Sequence, residues 1–312
     1  MMTSTLKQLK MMTTVVADTG DLSAIARLKP VDATTNPSLI TKALSTQDMQ
    51  PILQASLAKH NNDIDKVIDE LTIYVGTEIL KLIDGRVSTE VDARLSYDTT
   101  ATIDKAHEYI QAYEQAGISR DRVLIKIAGT WEGIEAARQL EQEGIHCNVT
   151  LLFGLHQAKA CADAGVTLIS PFVGRILDWQ KRDEGVNSVA IGNDKGVQSV
   201  KRIYAYFKQH GYRTQVMGAS FRSVEQILAL AGCDLLTIAP DLIDQLASMD
   251  VKIERQLFPD MHFEEMKKQT LDEMSFRQLQ EQDPMASELL SAGIEGFIKA
   301  REELVIKLES LV

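Results

Sequence analysis

The chain has 312 residues, of which 45% are hydrophobic and 25% are charged, a composition typical of a soluble globular protein with a full core. Its net charge of −11 argues against general binding to nucleic acids or anionic membranes, although an anionic small substrate needs only a few local arginines. Three widely spaced cysteines, no apolar run long enough to span a membrane and no secretory signal together indicate a cytoplasmic protein with buried free thiols at Cys147, Cys161 and Cys233.

Eight short apolar or β-branched runs alternate with helical patterns along the chain. The predicted strands are Thr13–Ala17, Val31–Thr35, Val87–Val91, Arg122–Ala128, Ile145–Thr150, Val166–Ser170, Thr214–Gly218 and Cys233–Ile238. The predicted helices lie near 22–28 behind an Asp21 cap, at 37–45 with Pro37 in the first turn, at 48–60, Ile64–Ile83 and 98–116, after Gly129-Thr130 with Glu132 in the first turn, near 154–164, from about 222 and from Pro240.

This alternation predicts a parallel sheet, and eight such units closing on themselves form a (β/α)8 TIM barrel of the α/β class. The competing architecture is an open doubly wound sheet, which often carries a glycine-rich phosphate turn after its first strand. Here the first strand ends in Ala17-Asp18-Thr19-Gly20, without that turn. The barrel is therefore the expected fold.

One domain is expected over residues 1–312. The longest excursion between strands, 171–213, contains a loop-like stretch at Glu184–Gly196 and then a helix with Val197 and Phe207 on its apolar face. Residues 250–312 read as a C-terminal helical extension, and Pro284–Val312 reads as one long amphipathic helix. The extension is expected to cover a face of the barrel or to contact a partner subunit, and plain packing on its own barrel is the alternative.

The fourth predicted strand holds a lysine, Lys126, among apolar residues. Burying an ammonium group is costly unless it reaches water, finds a partner or lowers its pKa. A neutral lysine amine is the nucleophile that forms a Schiff base with a carbonyl. The simpler alternative is a lysine whose long side chain reaches the end of its strand and meets water there.

Polar side chains stand at the ends of seven predicted strands, where barrel enzymes carry their active sites. Any one of them has a plainer explanation as a turn, a helix cap or a salt-bridge partner. Together they can hold a lysine, bind hydroxyls and move protons, and arginines just after strand ends can bind an anion. The histidines show no metal-ligand spacing, so no metal is expected. The candidate residues are Asp18, Asn36, Glu90, Lys126, Asn148, Thr150, Ser170, Arg175, Ser220 and Arg222.

Six segments that carry all of these residues except Asp18 resemble transaldolase, in the order that the family has them. The resemblance extends from about residue 15 through the final helices. The segments are Asp32-Ala-Thr-Thr-Asn-Pro-Ser-Leu-Ile40, Val87-Ser-Thr-Glu-Val-Asp92, Val123-Leu-Ile-Lys-Ile-Ala-Gly-Thr-Trp-Glu-Gly133, Asn148-Val-Thr-Leu-Leu-Phe153, Ile169-Ser-Pro-Phe-Val-Gly-Arg175 and Gly218-Ala-Ser-Phe-Arg-Ser223.

The resemblance implies a class I Schiff-base enzyme of the non-oxidative pentose phosphate pathway, with no dissociable cofactor. It would move a dihydroxyacetone unit from sedoheptulose 7-phosphate to glyceraldehyde 3-phosphate, giving erythrose 4-phosphate and fructose 6-phosphate. Members of the family are often dimers, so a homodimer with the C-terminal helices as candidate interface is also implied.

The same resemblance assigns roles to the residues. Lys126 would attack the ketose carbonyl, Glu90 would act as general acid and base through a water that Thr150 helps to hold, and Asp18 would take the proton from the C4 hydroxyl of the donor. The substrate-binding residues would be Asn36, Asn148, Ser170, Phe172, Arg175, Ser220 and Arg222.

Two other functions stay open. A fructose 6-phosphate aldolase, or another lysine-dependent barrel aldolase, would use the same lysine. Phe172 favours transfer, because fructose 6-phosphate aldolases carry a tyrosine at this place. A sugar-phosphate-binding barrel without activity would form no covalent adduct, and the complete set of lysine, acid and asparagines argues against it.

Overall fold

Eight parallel strands close into a barrel in the computed structural model of the chain, which describes residues 4–44, 46 and 49–311. Their order around the barrel is their order along the chain, and the last strand pairs with the first. The predicted (β/α)8 barrel is confirmed, since an open sheet would lack that pairing. The strands are β1 (Thr14–Asp18), β2 (Ala33–Thr34), β3 (Val87–Glu90), β4 (Val123–Ala128), β5 (Cys147–Leu152), β6 (Leu168–Pro171), β7 (Gln215–Gly218) and β8 (Leu235–Ile238).

Helices connect the strands, and further helices precede the first strand and follow the last one. Within the described residues they are α1 (Thr5–Lys10), α2 (Leu22–Leu28), α3 (Pro37–Ala43), α4 (Gln50–Lys59), α5 (Ile64–Leu82), α6 (Thr99–Gln115), α7 (Trp131–Gln142), α8 (Leu155–Asp163), α9 (Gly174–Glu184), α10 (Lys195–Gln209), α11 (Val224–Leu228), α12 (Pro240–Ser248), α13 (Glu273–Glu281) and α14 (Pro284–Glu309). None of these helices is long and apolar enough to cross a membrane.

Helices α2 and α3 begin at side-chain caps where the sequence predicts them. The Asp21 carboxylate accepts hydrogen bonds from the backbone N–H groups of Ser23 and Ala24 at the start of α2. Asn36 caps α3, whose first residue is Pro37. Residues 45 and 48 of the predicted helices and residue 312 of the long C-terminal helix lie outside the described residues.

The extra C-terminal helices are confirmed as α13 and α14, but the first part of the extension, residues 250–272, forms no helix, so the helical interpretation of that part is wrong. No regular structure occurs between α12 and α13, where the backbone bonds to other parts of the fold. Thr5 on α1 bonds to the backbone of Val251, and the N–H groups of Gln256 and Leu257 donate to the carbonyl of Ala231. Because these groups pair elsewhere, they cannot form a helical ladder.

Helices α1 and α9 were not predicted from the sequence. Only Gly174, Ile176, Leu177 and Gln180 are buried among the eleven residues of α9, whose sequence is otherwise rich in charged side chains. So few apolar positions leave almost no helical periodicity to detect. Helix α9 matters here because it follows β6 and carries Arg175.

The barrel interior holds a small apolar layer below the lysine. Leu124 on β4 clusters with four residues from other strands, Val16, Leu168, Met217 and Leu235. Val123, Ile125 and Ile127 instead join the large core between the strands and the helices. Since side chains alternate along a strand, Lys126 shares the inner face with Leu124 and points into the barrel.

Helix α14 packs across the carboxyl-terminal mouth of its own barrel. Its residues Leu290, Ile294 and Phe297 form one buried cluster with Leu151, Phe153 and Phe172, which follow the strand ends. Helix α14 therefore covers a face of its own barrel, and contact of the extension with a partner subunit stays a prediction.

Candidate active site

Three neighbouring strands present polar side chains at one level of the barrel. Glu90 on β3 lies opposite Lys126 on β4, and Lys126 lies opposite Asn148 on β5. One step further along, Thr150 pairs with Ala128. Because the strands are parallel and in sequence order, residues distant in the chain meet at this level.

Lys126 and Glu90 form a buried ion pair. The Lys126 Nζ lies 3.1 Å from Glu90 Oε2, and the two side chains are 7% and 5% exposed. The Nζ also donates a hydrogen bond of 3.2 Å to the carbonyl of Thr35. The lysine therefore meets protein partners rather than bulk water, and the alternative of a side chain that reaches solvent does not describe it.

Burial raises the pKa of the Glu90 carboxyl, and the positive charges of Lys126 and Arg175 oppose this rise. Removal of a carboxylate from water favours its neutral form, which is the physical cause. A shift in this direction favours a carboxyl group that holds a proton and can release it, as a general acid and base must.

Two buried oxygens near the lysine lack hydrogen-bond partners in the described part of the chain. They are Glu90 Oε2 and Thr150 Oγ1. Glu90 Oε2 lies at ion-pair distance from Lys126 but without the geometry of a hydrogen bond. Leu151 has a positive φ of 57°, and the register with β6 shifts between Thr150 and Leu152. Such a bulge redirects side chains, and unpaired buried oxygens are suited to a water molecule or a substrate hydroxyl.

Asn148 is fixed by a chain of side-chain hydrogen bonds. Ser170 Oγ donates to its carbonyl oxygen at 2.6 Å, and its amide nitrogen donates to Ser88 Oγ at 3.0 Å. These bonds determine which way the amide points. Ser170 lines the cavity described below, whereas Asn148 is completely buried and does not line it.

Asp18 and Asn36 are held on the other side of the lysine. Thr34 Oγ1 donates to an Asp18 carboxylate oxygen at 3.0 Å and also contacts Thr237. The Asn36 side-chain oxygen accepts hydrogen bonds from Leu39 N and Ser38 Oγ, so this residue is a helix cap as well as part of the cavity wall. Its amide nitrogen takes no part in the cap.

A cavity of about 230 Å³ opens at the barrel mouth above Lys126. The predicted site residues line it with two exceptions, Glu90 and Asn148, which contact the lysine strand from its two neighbours. Phe297 from α14 also lines the cavity, with its ring centroid 5.8 Å from the Lys126 Nζ.

Two arginines mark one end of this cavity. The Arg175 guanidinium lies 5.0 Å from the ring centre of Phe172, and burial together with the charge of Arg222 lowers its pKa. Arg222 donates to one Asp178 oxygen at 2.8 and 3.0 Å, and its Nη1 lies 3.3 Å from Ser220 Oγ. Guanidinium groups bind phosphate and carboxylate groups through paired hydrogen bonds, so this arrangement suits an anionic group of a ligand.

Sequence reasoning missed Phe297 and Asp178. Phe297 is one apolar position of a long amphipathic helix, and the pattern gives no sign that it meets the cavity. Asp178 stands one turn after Arg175 on α9, a helix that was not predicted. Thr34 and Thr35 lie within a segment that resembles the family, but no role was expected for them.

Comparisons with known proteins agree with this geometry. The family described as Transaldolase/Fructose-6-phosphate aldolase matches residues 15–308. A transaldolase of Acidobacterium capsulatum is 55% identical over 312 residues, which cover 96% of this chain and 93% of the relative. A transaldolase of Thermosynechococcus vestitus is 54% identical over 310 residues, covering 96% of this chain and 79% of the relative. The chain belongs to the transaldolase/fructose-6-phosphate aldolase family.

Proposed function

We propose that the chain is a transaldolase that transfers a dihydroxyacetone unit from sedoheptulose 7-phosphate to glyceraldehyde 3-phosphate through a Schiff base on Lys126. The products are erythrose 4-phosphate and fructose 6-phosphate. The observation that carries the proposal is the buried pair of Lys126 and Glu90, 3.1 Å apart, beneath a cavity with two arginines at one end. The names of the two relatives support the same reaction.

The reaction begins when the Lys126 amine attacks the ketose carbonyl at C2. Glu90 transfers protons to and from the nitrogen and the departing water, and the unpaired Thr150 hydroxyl supports a water on this route. Loss of the water formed from the carbonyl oxygen gives a protonated imine. The imine is an electron sink, so the carbon–carbon bond that breaks next has a place for its electron pair.

Asp18 removes the proton from the C4 hydroxyl as the C3–C4 bond breaks. The aldose leaves as an aldehyde, and the three-carbon unit stays on Lys126 as an enamine. The enamine carbon then attacks the aldehyde of glyceraldehyde 3-phosphate, Asp18 returns its proton, and water hydrolyses the new imine. In this scheme Asn36, Asn148 and Ser170 bind the hydroxyls of the three-carbon unit.

The phosphate of each substrate binds at Arg175, Arg222 and Ser220. Three features support this placement: the lack of an acidic partner for Arg175 in the described part of the chain, the positive φ of 60° at Ser220, and the proximity of Ser220 Oγ to Arg222. A non-glycine residue in that conformation is strained, and strain of this kind concentrates at functional sites.

Fructose 6-phosphate aldolase is the second candidate, because the family includes both activities. Phe172 favours transfer, since its ring lies against Arg175 and places no hydroxyl in the cavity wall. The test is whether the cleavage of fructose 6-phosphate depends on an added acceptor aldehyde. Sustained release of glyceraldehyde 3-phosphate without an acceptor would favour the aldolase.

Borohydride trapping with fructose 6-phosphate tests the transaldolase proposal directly. Intact mass followed by peptide mapping is expected to find a reduced three-carbon adduct on Lys126, none in K126A, and a normal adduct in K159A, which removes a lysine from the outer surface of the barrel. An adduct on another lysine would overturn the site assignment. Binding without any adduct would favour the barrel that lacks activity.

A cytoplasmic homodimer belongs to the same proposal. Buried free thiols at all three cysteines support a reducing compartment, and burial raises the pKa of Cys233 to about 12, which keeps that thiol unreactive. Sedimentation equilibrium is expected to give twice the chain mass of 34.6 kDa. A single species at the chain mass would contradict the dimer and leave the catalytic proposal standing.

A further inference from the structure

One face of α14 carries three residues that approach the candidate active site. Gly293, Phe297 and Arg301 are spaced four residues apart, so they lie on the same side of the helix. Phe297 is 7% exposed and lines the cavity. Its ring centre lies 5.7 Å from the Arg175 guanidinium carbon. The helix therefore contacts the arginine from outside the barrel.

Arg175 is held in an unusual way for a partly buried cation. Two aromatic rings, those of Phe172 and Phe297, lie within 6 Å of its guanidinium carbon. No carboxylate in the described part of the chain forms an ion pair with it, whereas the neighbouring Arg222 is paired with Asp178. An aromatic face attracts a guanidinium group without cancelling its charge, and so leaves that charge free for an anion.

Gly293 provides the room that this arrangement needs. A Cβ atom at this position would lie 3.1 Å from Arg175 Nη1 and 2.8 Å from a methyl group of Leu151. Any larger residue would therefore press on the guanidinium or on the bulge that follows Thr150. Gly296, three residues further along, has open space around it and offers a matched comparison.

We propose that Phe297 is a positioning residue for phosphate recognition: its ring, with that of Phe172, holds the Arg175 guanidinium against the cavity, and Gly293 leaves the space for it. This inference rests on the proposed function, because it assumes that Arg175 binds the substrate phosphate. It assigns to the C-terminal helix a part in substrate specificity that the strand ends alone do not supply.

F297L removes the aromatic face and keeps a side chain of similar apolar character. The expected result is an increase of about 3- to 30-fold in the KM for fructose 6-phosphate and in the inhibition constant of inorganic phosphate. The KM for unphosphorylated dihydroxyacetone is expected to change by less than about 2-fold, because that substrate has no group for Arg175. F297Y retains the ring and is expected to restore phosphate inhibition.

The comparison of the two substrates separates this role from an effect on Lys126, which is also near the ring. Equal losses with phosphorylated and unphosphorylated substrates, or unchanged phosphate inhibition, would overturn the proposal. F276L is the control for lost packing, because Phe276 is 2% exposed, contacts Trp131 and His156, and lies outside the cavity. It is expected to leave phosphate inhibition unchanged.

G293A tests the same inference without altering an aromatic residue, should F297L fail to fold. Alanine favours the helix, so the loss of phosphate affinity is expected without a loss of helical content, and G296A is expected to leave phosphate affinity unchanged. Equal phosphate affinity in G293A and G296A would count against the proposal. Borohydride trapping of the unmodified chain is measured in parallel, so that failure of the Schiff base is distinguished from failure of the role of Phe297.

Discussion

Replacement of Lys126 by methionine should make the stability of the protein depend more steeply on pH. The substitution removes the cation that lies 3.1 Å from Glu90 Oε2 and leaves the carboxyl group buried. Methionine keeps a long flexible side chain, so packing changes little. The remaining carboxyl group has lost its main opposing charge and must keep a proton in order to stay buried.

The direction of this pH dependence follows from the pKa of Glu90. Burial already raises it in the intact protein and Lys126 opposes the rise, so K126M raises it further. A folded pKa above the unfolded value gives a contribution that is fully present below pH about 4.3 and is lost as pH rises through the folded pKa. Each pH unit in that range costs about 1.4 kcal/mol, so the loss has a ceiling of about 3.7 kcal/mol at pH 7.

The assay is the free energy of urea-induced unfolding between pH 4 and pH 8, for K126M and for K126M/E90Q. The second protein has a neutral amide of the same shape at residue 90, so the difference between the two reports the carboxyl group alone. The difference is expected to grow with pH in the direction of a less stable K126M. Parallel pH profiles for the two proteins would refute the reasoning, because a buried glutamate without a counter-charge cannot titrate normally.

Three further predictions test other parts of the structure. R222A is expected to raise the KM for fructose 6-phosphate by about 10- to 100-fold, with little change in the KM for dihydroxyacetone. D178N is expected to lower the KM for fructose 6-phosphate by up to about 5-fold, because Asp178 competes for the Arg222 guanidinium. Steady-state kinetics of both variants with both substrates checks these expectations. R301Q is expected to lower the free energy of unfolding by about 2 kcal/mol, because Arg301 Nε lies 2.9 Å from Asp92 and a second ion pair joins Arg301 to Asp65. The control K299Q, on the exposed side of α14, should change the free energy of unfolding by less than about 0.5 kcal/mol in the same urea titration. D32N is expected to cost about 3 to 5 kcal/mol of stability by breaking the buried pair with Arg86 at the amino-terminal side of the barrel, while kcat of the folded protein stays unchanged.

The barrel could be predicted from the sequence because the patterns that indicate its strands and helices are local and repeat along the chain. Each strand is a short apolar run, each connecting helix has its own period, and the order of units fixes which strands pair. The same order placed Glu90, Lys126 and Asn148 on neighbouring strands. Helix α9 and the irregular segment after α12 were mispredicted, because the first has few apolar residues and the backbone of the second bonds to α1 and to Ala231.

The candidate site was predictable as a set of residues but not as a set of contacts. Strand ends of a barrel converge, so most of the polar residues chosen at those ends line one cavity. The pairing of Arg222 with Asp178, 44 positions apart, depends on how α9 packs beside the loop after β7. The bonds of Asn148 to Ser88 and Ser170 likewise depend on side-chain orientations that no spacing in the sequence encodes.

The contacts of helix α14 could not be predicted from its sequence pattern. An amphipathic period tells which side of a helix is buried, and it is the same for a helix that fills a core and for one that covers a barrel mouth. Only the fold brings Phe297 to 5.7 Å from Arg175 and 5.8 Å from Lys126. Substitutions along this one face of the helix should therefore alter phosphate recognition while every residue at the strand ends stays unchanged.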